Sequence, residues 1–400
     1  MAENVKISPE QWAKVPAEKL KKEEISRPSL TYWQDAWRRL KKNYLSMAGL
    51  VAIVLLTFLA LFGPMLSQFE YSDQDLKMSN LPSKLEYYQV DEDSYIYLHK
   101  EYRLYSLTKK GEIIEKLTET KNDMIKKYRS YEIDGKEVVV DYSFAPAAIK
   151  SGDPNAKKFE IRVDGEVVSA SGKVSNKTYR FGTDHLGRDL FVRVLYGARI
   201  SLLVGLVATV IQFFIGVTYG GISGYTGGRV DNIMMRIVDI IATIPLLLYV
   251  ILLMVVMGAG LKTIIIALGS VYWVTMARIV RGQVLSIKEQ EYVLAARTVG
   301  ASTWRIMARH LIPNAMGSII VALAMNIPGA IFTESFLSFI GLGVSAPAAS
   351  WGTLASDALG GLRTYAYQLF YPSVFIAVTV LAFNFLGDGL RDALDPRLRK

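Results

Sequence analysis

Apolar runs and polar segments alternate along the chain. Six of the runs are about twenty residues long and nearly free of charge, which is the length that a helix needs to cross roughly 30 Å of hydrocarbon. The predicted spans are residues 44–68, 201–222, 233–257, 262–281, 315–342 and 368–389. The pattern therefore predicts an all-α polytopic membrane protein with six transmembrane helices.

Residues 69–184 differ from the apolar runs, because acidic and basic residues are interleaved there with many tyrosines. Alternating stretches predict short strands, and two Asp-Gly pairs are typical of hairpin turns. The stretches are Tyr95–Tyr105, Glu137–Tyr142 and Lys158–Val168, and the pairs are Asp134-Gly135 and Asp164-Gly165. We predict a small, mainly β insert between the first two spans. Since its apolar content is weak for its size, we expect it to lean on the outer faces of the spans or on a partner.

The chain carries a formal net charge of +9, which would also suit a nucleic-acid-binding protein. Its basic residues, however, lie in short segments beside the apolar runs, and the excess of Lys and Arg on cytoplasmic loops explains this placement better. On that basis both termini are cytoplasmic and the insert is extracellular. Residues 1–43 are interpreted as a cytoplasmic tail that ends in an interfacial amphipathic helix containing Trp33 and Trp37.

The polar segment 282–314, between the fourth and fifth predicted spans, has a helical pattern of its own. Ser286 and Glu289 form an S-x-x-E capping box, which predicts a helix over Ile287–Val299. Gly300 ends this helix as a residue that tolerates positive φ.

A second helix, with Ser302 or Thr303 as its N-cap, is expected to continue until Pro313 stops it. The first of these helices has little bulk at the small residues Ala295, Ala296 and Gly300. Such a surface lets the backbone of another protein approach closely, which suits a helix lying in a groove.

The spacing Ala295-Ala296-x-x-x-Gly300, followed by His310-x-Ile312-Pro313, resembles the EAA loop of ABC-importer permeases. The general pattern has Glu where this chain has Leu294 and Ile where it has His310. The displaced form, with Glu291 ahead of the alanines, resembles the peptide/nickel branch of the family. The resemblance implies that this loop is a coupling helix gripped by an ATPase subunit. The implied coupling residues are Glu291, Ala295, Ala296, Arg297, Gly300, Ala301, Ser302 and Arg305.

The segment before and within the first span also resembles the C-type subunit of oligopeptide and dipeptide permeases, and the similarity continues over about 180–400. It implies the ABC type I importer permease fold in a bacterial plasma membrane. The implied partners are a homologous second permease, two ATPase subunits that bind ATP and Mg²⁺, and an extracellular substrate-binding protein. The implied domains are the tail 1–43, the first helix 44–68, the insert 69–184 and a permease core 185–400.

Three arginines precede or open the second span, at Arg188, Arg193 and Arg199. They are expected on an outer amphipathic segment, where they either face a docked binding protein or are solvated or paired with lipid headgroups. In the third span, Asp239 lies three residues after Arg236, so the two are expected to neutralise each other.

Several polar or helix-breaking residues within the spans are candidates for the translocation path. Pro245 is expected to kink the third span and either to widen a central path or only to adjust packing. A carboxylate in lipid is costly, so Glu334 is a functional candidate, with a helix–helix or gate contact as the alternative. The candidates are Thr243, Pro245, Asn326, Glu334 and Asn384.

The chain has no cysteine and three scattered histidines, which predicts neither a disulfide nor a metal site. It contains no nucleophile–base set and no P-loop, so we expect transport rather than catalysis, with no cofactor bound by this chain. Two alternatives remain open at this point. One is a same-branch importer of nickel or another small solute, and the other is a membrane sensor with an extracellular ligand domain.

Overall fold

The computed structural model describes residues 31–153 and 156–395 as a helical body with a β insert. The helices are α1 Tyr32–Lys42, α2 Tyr44–Phe62, α3 Ala145–Ser151, α4 Leu190–Thr226, α5 Gly228–Thr243, α6 Leu246–Met257, α7 Leu261–Ile287, α8 Glu291–Thr298, α9 Thr303–Ile306, α10 Ile312–Leu337, α11 Trp351–Asp357 and α12 Tyr367–Leu394. The strands are β1 Lys84–Gln89, β2 Tyr95–Leu98, β3 Leu104–Leu107, β4 Ile113–Lys116, β5 Lys121–Asp123, β6 Tyr128–Ile133, β7 Lys136–Asp141, β8 Glu160–Val163, β9 Glu166–Val168 and β10 Gly172–Ser175. The prediction of a mostly helical chain with a β insert is confirmed.

Five helical segments in the described part of the chain are long and apolar enough to cross a membrane. They are Tyr44–Leu66, Leu190–Thr226, Leu261–Ile287, Thr303–Leu342 and Tyr367–Leu394. The pair α5 and α6 passes the same test together, but it is bent by 83°. The predicted third span is therefore broken rather than kinked. Ile244 and Pro245 are both extended at the bend, and the conformation of Ile244 follows because a proline disfavours the helical region for the residue before it.

The β insert consists of two five-stranded antiparallel sheets, with orders β10-β1-β2-β3-β4 and β5-β6-β7-β8-β9. The predicted strand over Tyr95–Tyr105 is the hairpin of β2 and β3. Asp134 and Gly135 have φ of 49° and 77°, as a type I′ turn between β6 and β7 requires. The two Asp-Gly turn predictions are confirmed, since Asp164 and its following glycine have the same signs of φ.

The insert has apolar cores of its own. One cluster joins the sheets through side chains such as Ile96 and Val138, and a second, on the other side of the first sheet, includes Leu85 and Tyr105. The insert therefore buries apolar side chains on both faces of its first sheet.

The insert also rests on the helical body, as expected. The Tyr367 hydroxyl donates to the carbonyl of Thr183 at 2.7 Å, and Gln368 Nε2 donates to Asn80 Oδ1 at 2.9 Å. The ring of His99 stacks on Tyr365 with centroids 6.0 Å apart. Contacts of this kind fix the insert against the start of α12.

Two of the three arginines near the start of α4 are buried, and the third, Arg199, is partly exposed. Arg188 and Arg193 are 3% and 2% exposed, and Arg188 Nε donates to Asp184 Oδ2 at 2.6 Å. Arg199 donates to the carbonyls of Ala60 and Leu61 at the end of α2. The expectation of solvated or headgroup-paired side chains is therefore wrong for Arg188 and Arg193, because both are buried inside the protein.

The first helix is amphipathic, as predicted. Thr31 caps it in a capping box, Ala36 and Leu40 are buried, and the rings of Trp33 and Trp37 are exposed. The rest of the predicted tail, residues 1–30, lies outside the described residues, as do residues 396–400.

Candidate coupling surface and translocation path

The segment after α7 forms two short helices. α8 begins at Glu291 with Gln290 as its N-cap, and no side chain caps it. The predicted capping box is wrong, because α7 continues through Ser286 to Ile287, which leaves Glu289 in the turn between the helices. The predicted start of the coupling helix was therefore four residues too early.

The end of α8 is a Schellman motif. Ala301 N donates to Ala296 O at 3.1 Å, and Gly300 N donates to Arg297 O at 2.9 Å. Gly300 has φ of +81°, so the prediction that it ends this helix is confirmed. Ser302 then caps α9 by accepting from Arg305 N, which also confirms the predicted N-cap.

The chain does not stop being helical at Pro313. A π-helical turn over Met307–Leu311 joins α9 to α10, and Pro313 lies in the first turn of α10. The prediction that it halts the helix is wrong, because a wider turn before a proline makes room for its ring and for the missing N–H. Asn314 Nδ2 donates to the carbonyl of His310 at 2.6 Å in the same region.

Two apolar side chains anchor this segment in the body. Val293 and Ile306 are fully buried in a cluster with Val280 and Val284 of α7. Ala296 and Ala301 are partly buried and pack against the same cluster. The six other predicted coupling residues are exposed: Glu291, Ala295, Arg297, Gly300, Ser302 and Arg305.

Large apolar side chains surround these residues. Val299 is 88% exposed and Trp304 is 67% exposed, and Tyr292 and Leu294 are exposed as well. The exposed face of residues 291–305, here named the coupling surface, thus combines large apolar side chains with small residues and charged ones. Contiguous exposed apolar patches mark sites of protein interaction. Sequence reasoning missed Val299 and Trp304, although their bulk in a polar loop is a visible signal.

A partly buried ion pair holds the helix that leads into the coupling surface. Arg281 of α7 donates to both carboxylate oxygens of Asp231 at 2.5 and 2.6 Å, and Ser223 of α4 donates to the same carboxylate. Sequence reasoning missed this pair, because fifty residues separate its partners. It also predicted that Arg236 neutralises Asp239, which is wrong, since Arg278 lies 2.8 Å from that carboxylate on the facing helix.

Glycines bring α4 and α7 close together. A Cβ on Gly220 would lie 2.3 Å from the carbonyl oxygen of Ala277, and one on Gly224 would lie 2.9 Å from that of Arg281. Small residues permit this approach of two backbones. The end of α7 is therefore set directly against α4, and Arg297 reaches back over the ring of Tyr225 at 5.0 Å.

The predicted path residues lie in separate places. Asn326 lines a cavity of about 490 Å³ together with Thr275, Ser318 and Arg391. Thr243 and Pro245 are exposed at the bend between α5 and α6, and Asn384 is exposed on α12. None of these three, nor Glu334, lines the Asn326 cavity.

Glu334 is fully buried between α4 and α10. Ser201 and Ser338 donate to its two carboxylate oxygens at 2.7 and 2.8 Å, and Ser335 lies 3.4 Å from Oε2. The carboxylate therefore joins the two helices through hydroxyl groups. Within residues 31–153 and 156–395, no three His, Cys, Asp or Glu side chains are arranged to hold a metal ion.

The chain has close relatives among known proteins. Residues 216–400 match the family described as "Binding-protein-dependent transport system inner membrane component", and residues 31–82 match "N-terminal TM domain of oligopeptide transport permease C". It is 43% identical to the dipeptide transport system permease protein DppC of Bacillus subtilis, over 98% of this chain and 94% of the relative.

Two other relatives are C-type permease proteins named for oligopeptide transport. Identity is 42% to the oligopeptide transport system permease protein OppC of Bacillus subtilis, over 94% of each chain. It is 35% to OppC of Escherichia coli, over 94% of this chain and 95% of the relative. The chain therefore belongs to the family of binding-protein-dependent transport system inner membrane components, as a permease C subunit.

Proposed function

We propose that the chain is a transmembrane subunit of an ATP-driven importer of oligopeptides or dipeptides. Its relatives in Bacillus subtilis are named for dipeptide and oligopeptide transport and align with it almost end to end. The observation that carries the mechanism is the coupling surface, a rigidly anchored but uncovered patch with large apolar side chains. A permease has to receive movement from its ATPase, and this patch has the shape for that contact.

In the proposed complex, an ATPase subunit covers the coupling surface. Exposed Ala295 and Gly300 admit the partner's backbone, while Val299 and Trp304 supply apolar area and Glu291, Arg297 and Arg305 form the polar rim. Two such ATPases, which hold ATP and Mg²⁺, act on this chain and on a homologous second permease. Because Val293 and Ile306 are packed in the body, a push on the coupling surface moves α7 and α10 with it.

The proposed topology puts both termini and the coupling surface in the cytoplasm of a bacterial cell, and the insert outside. Arg278, Arg281, Arg297, Arg305 and Arg309 then share the cytoplasmic side, in accordance with the excess of basic residues there. The tail 1–43, the first helix 44–68, the insert 69–184 and the core 185–400 are the proposed domains. A substrate-binding protein delivers peptides to the outer face.

The proposed path runs along the faces that this chain turns towards its partner permease. Polar or helix-breaking residues are exposed on these faces at Thr243, Pro245 and Asn384. The cavity lined by Asn326 forms part of the proposed path. Glu334 does not face the proposed path but supports it, because its contacts with serines set the spacing of α4 and α10.

Copurification of the tagged chain from its own bacterium tests the proposal. The expected partners are ATPases, a second permease and a binding protein, and deletion of the chain should abolish uptake of labelled di- or oligopeptides. Since the chain has no cysteine, single variants report topology directly. A thiol reagent that cannot cross the membrane should label Ser171→Cys in whole cells but should not label Ser302→Cys. Uptake that survives deletion, or outside labelling of Ser302→Cys, would contradict the proposal.

A further inference from the structure

A small pocket lies on the insert side of the body, where the start of α4 meets α11 and the π-helical turn that follows α10. Its volume is about 180 Å³, and Arg188, Arg193, Ser338, Ser356 and Asp357 contribute to its lining. This site is named the arginine pocket below. It is separate from the coupling surface and from the Asn326 cavity.

The two guanidinium groups are buried and incompletely paired. Asp184 accepts from Arg188 Nε at 2.6 Å, but Arg193 Nε lies 3.5 Å from the same oxygen and makes no hydrogen bond. A buried donor without an acceptor costs about 1–3 kcal/mol of folding free energy. Arg193 therefore retains an unused donor more than nine-tenths buried.

A second carboxylate sits at the mouth of the pocket at long range. Asp357 Oδ2 lies 3.6 Å from Arg188 Nη2 and 3.9 Å from Arg193 Nη2, beyond hydrogen-bond distance, and the residue is 43% exposed. It balances the charge of the arginines without satisfying their donors. Such a carboxylate can be displaced at little cost.

The hydroxyl groups of the pocket differ in what they offer. Ser338 already donates to Glu334, and Thr353 donates to the carbonyl of Ser350. The Ser356 hydroxyl makes no hydrogen bond to the described residues. Arg193 Nη1 donates to the carbonyl of Tyr71 at 3.3 Å, but Arg193 Nε has no acceptor. The remaining donors of the two arginines and the Ser356 hydroxyl are an arrangement for one carboxylate.

We propose that the arginine pocket receives an Asp or Glu side chain of the docking substrate-binding protein, which displaces Asp357. This inference rests on the proposed function, since it requires a binding protein on the insert side. The volume accommodates one carboxylate with part of its stem, and the exposed mouth gives access from outside. Exchange of one carboxylate for another keeps the charge balanced while the new group forms the hydrogen bonds that Asp357 does not.

Two charged thiol reagents test the pocket in a Ser356→Cys variant, because the chain has no other cysteine. We compare the rates at which two methanethiosulfonate reagents modify this cysteine, one with an anionic sulfonatoethyl group and one with a cationic trimethylammonium group. Each rate is measured with and without Asp357→Asn. Removal of the resident carboxylate should raise the anion-to-cation rate ratio on the order of tenfold, since a cleft of one charge concentrates counter-ions. The same Asp357→Asn change should leave the ratio at Ser171→Cys, on the insert, unaltered.

Docking supplies the second measurement. The copurified binding protein should slow the reaction of the anionic reagent with Ser356→Cys. Asp357→Asn should strengthen the binding of that protein to the permease several-fold. The control Asp93→Asn, on an exposed turn of the insert, should leave this affinity unchanged. An unchanged rate ratio, or full labelling while the binding protein is bound, would overturn the inference alone. Protection by anionic lipid vesicles without the protein would overturn it as well. Absence of any binding protein together with absence of uptake would instead defeat the importer proposal.

Discussion

A substitution at Gly300 tests the proposed coupling mechanism most directly. Its φ of +81° lies in the left-handed region, and a Cβ built there meets nothing within 4 Å. A Cβ therefore clashes with no neighbour in this chain, and its cost to the free chain is backbone strain. For an L-residue with a Cβ that strain is about 1–2 kcal/mol, and a β-branched side chain adds to it.

A penalty of that size shifts the equilibrium between the formed and the opened turn by a factor of roughly 5–30. The Gly300→Val variant should insert normally, because no span is touched, but peptide uptake and stimulation of ATP hydrolysis by the loaded binding protein should fall by about that factor. Gly300→Asn should recover part of the activity, since Asn tolerates the left-handed region although its side chain still takes up space at the contact with the ATPase.

Gly282 is the matched control. It lies inside α7, is exposed, and also has nothing within 4 Å of a built Cβ, but its backbone is helical. Gly282→Ala should therefore be neutral or stabilise the protein by roughly 0.5–1 kcal/mol. Normal uptake by Gly300→Val at normal abundance, with ATPases still attached, would refute the argument that the turn after α8 carries the coupling.

Three further outcomes are expected. Ala295→Asp should bury an unpaired carboxylate when the ATPase covers the coupling surface, costing roughly 3–5 kcal/mol, so the ATPases should no longer copurify. Burial lowers the pKa of His99, so the ring binds a proton more readily in the unfolded chain than in the folded one. The insert should therefore lose stability as the pH falls below about 6.5. His99→Gln should remove this pH dependence in thermal unfolding. Trp351→Phe removes the indole N–H that donates to the carbonyl of Val194 at 2.9 Å, while that carbonyl keeps its place in the backbone ladder of α4, so the stability of the purified protein should fall by about 0.5–1.5 kcal/mol.

Local chemistry decided which features were visible in the sequence. The Asp-Gly turns, the Gly300 helix end and the Ser302 cap depend on residues within a few positions, and all three were predicted correctly. The capping box at Ser286 failed because a continuing α7 satisfied the same backbone groups. Tertiary packing had overridden a valid local motif.

Long-range pairing was invisible for the opposite reason. Nothing near Asp231 indicates that Arg281 is its partner, and nothing near Arg193 indicates that α11 covers it. The proline at 313 was misjudged because the π-helical turn ahead of it depends on the packing of Met307 and Leu311 in the core. Spacing rules assume an α-helix, and they fail where the helix changes its pitch.

The helices with these changes of pitch connect the coupling surface with the arginine pocket. The segment Thr303–Leu342 covers 40 residues and consists of α9, a π-helical turn, α10 and a second π-helical turn, and it leads from the coupling surface to the arginine pocket. Glu334 ties its far half to α4, and Gly341, with φ of +87°, ends it beside Asp357. We therefore expect a movement of α9 under the proposed ATPase to be passed through α10 to the site proposed for the binding protein, and docking at that site to act back through the same helices.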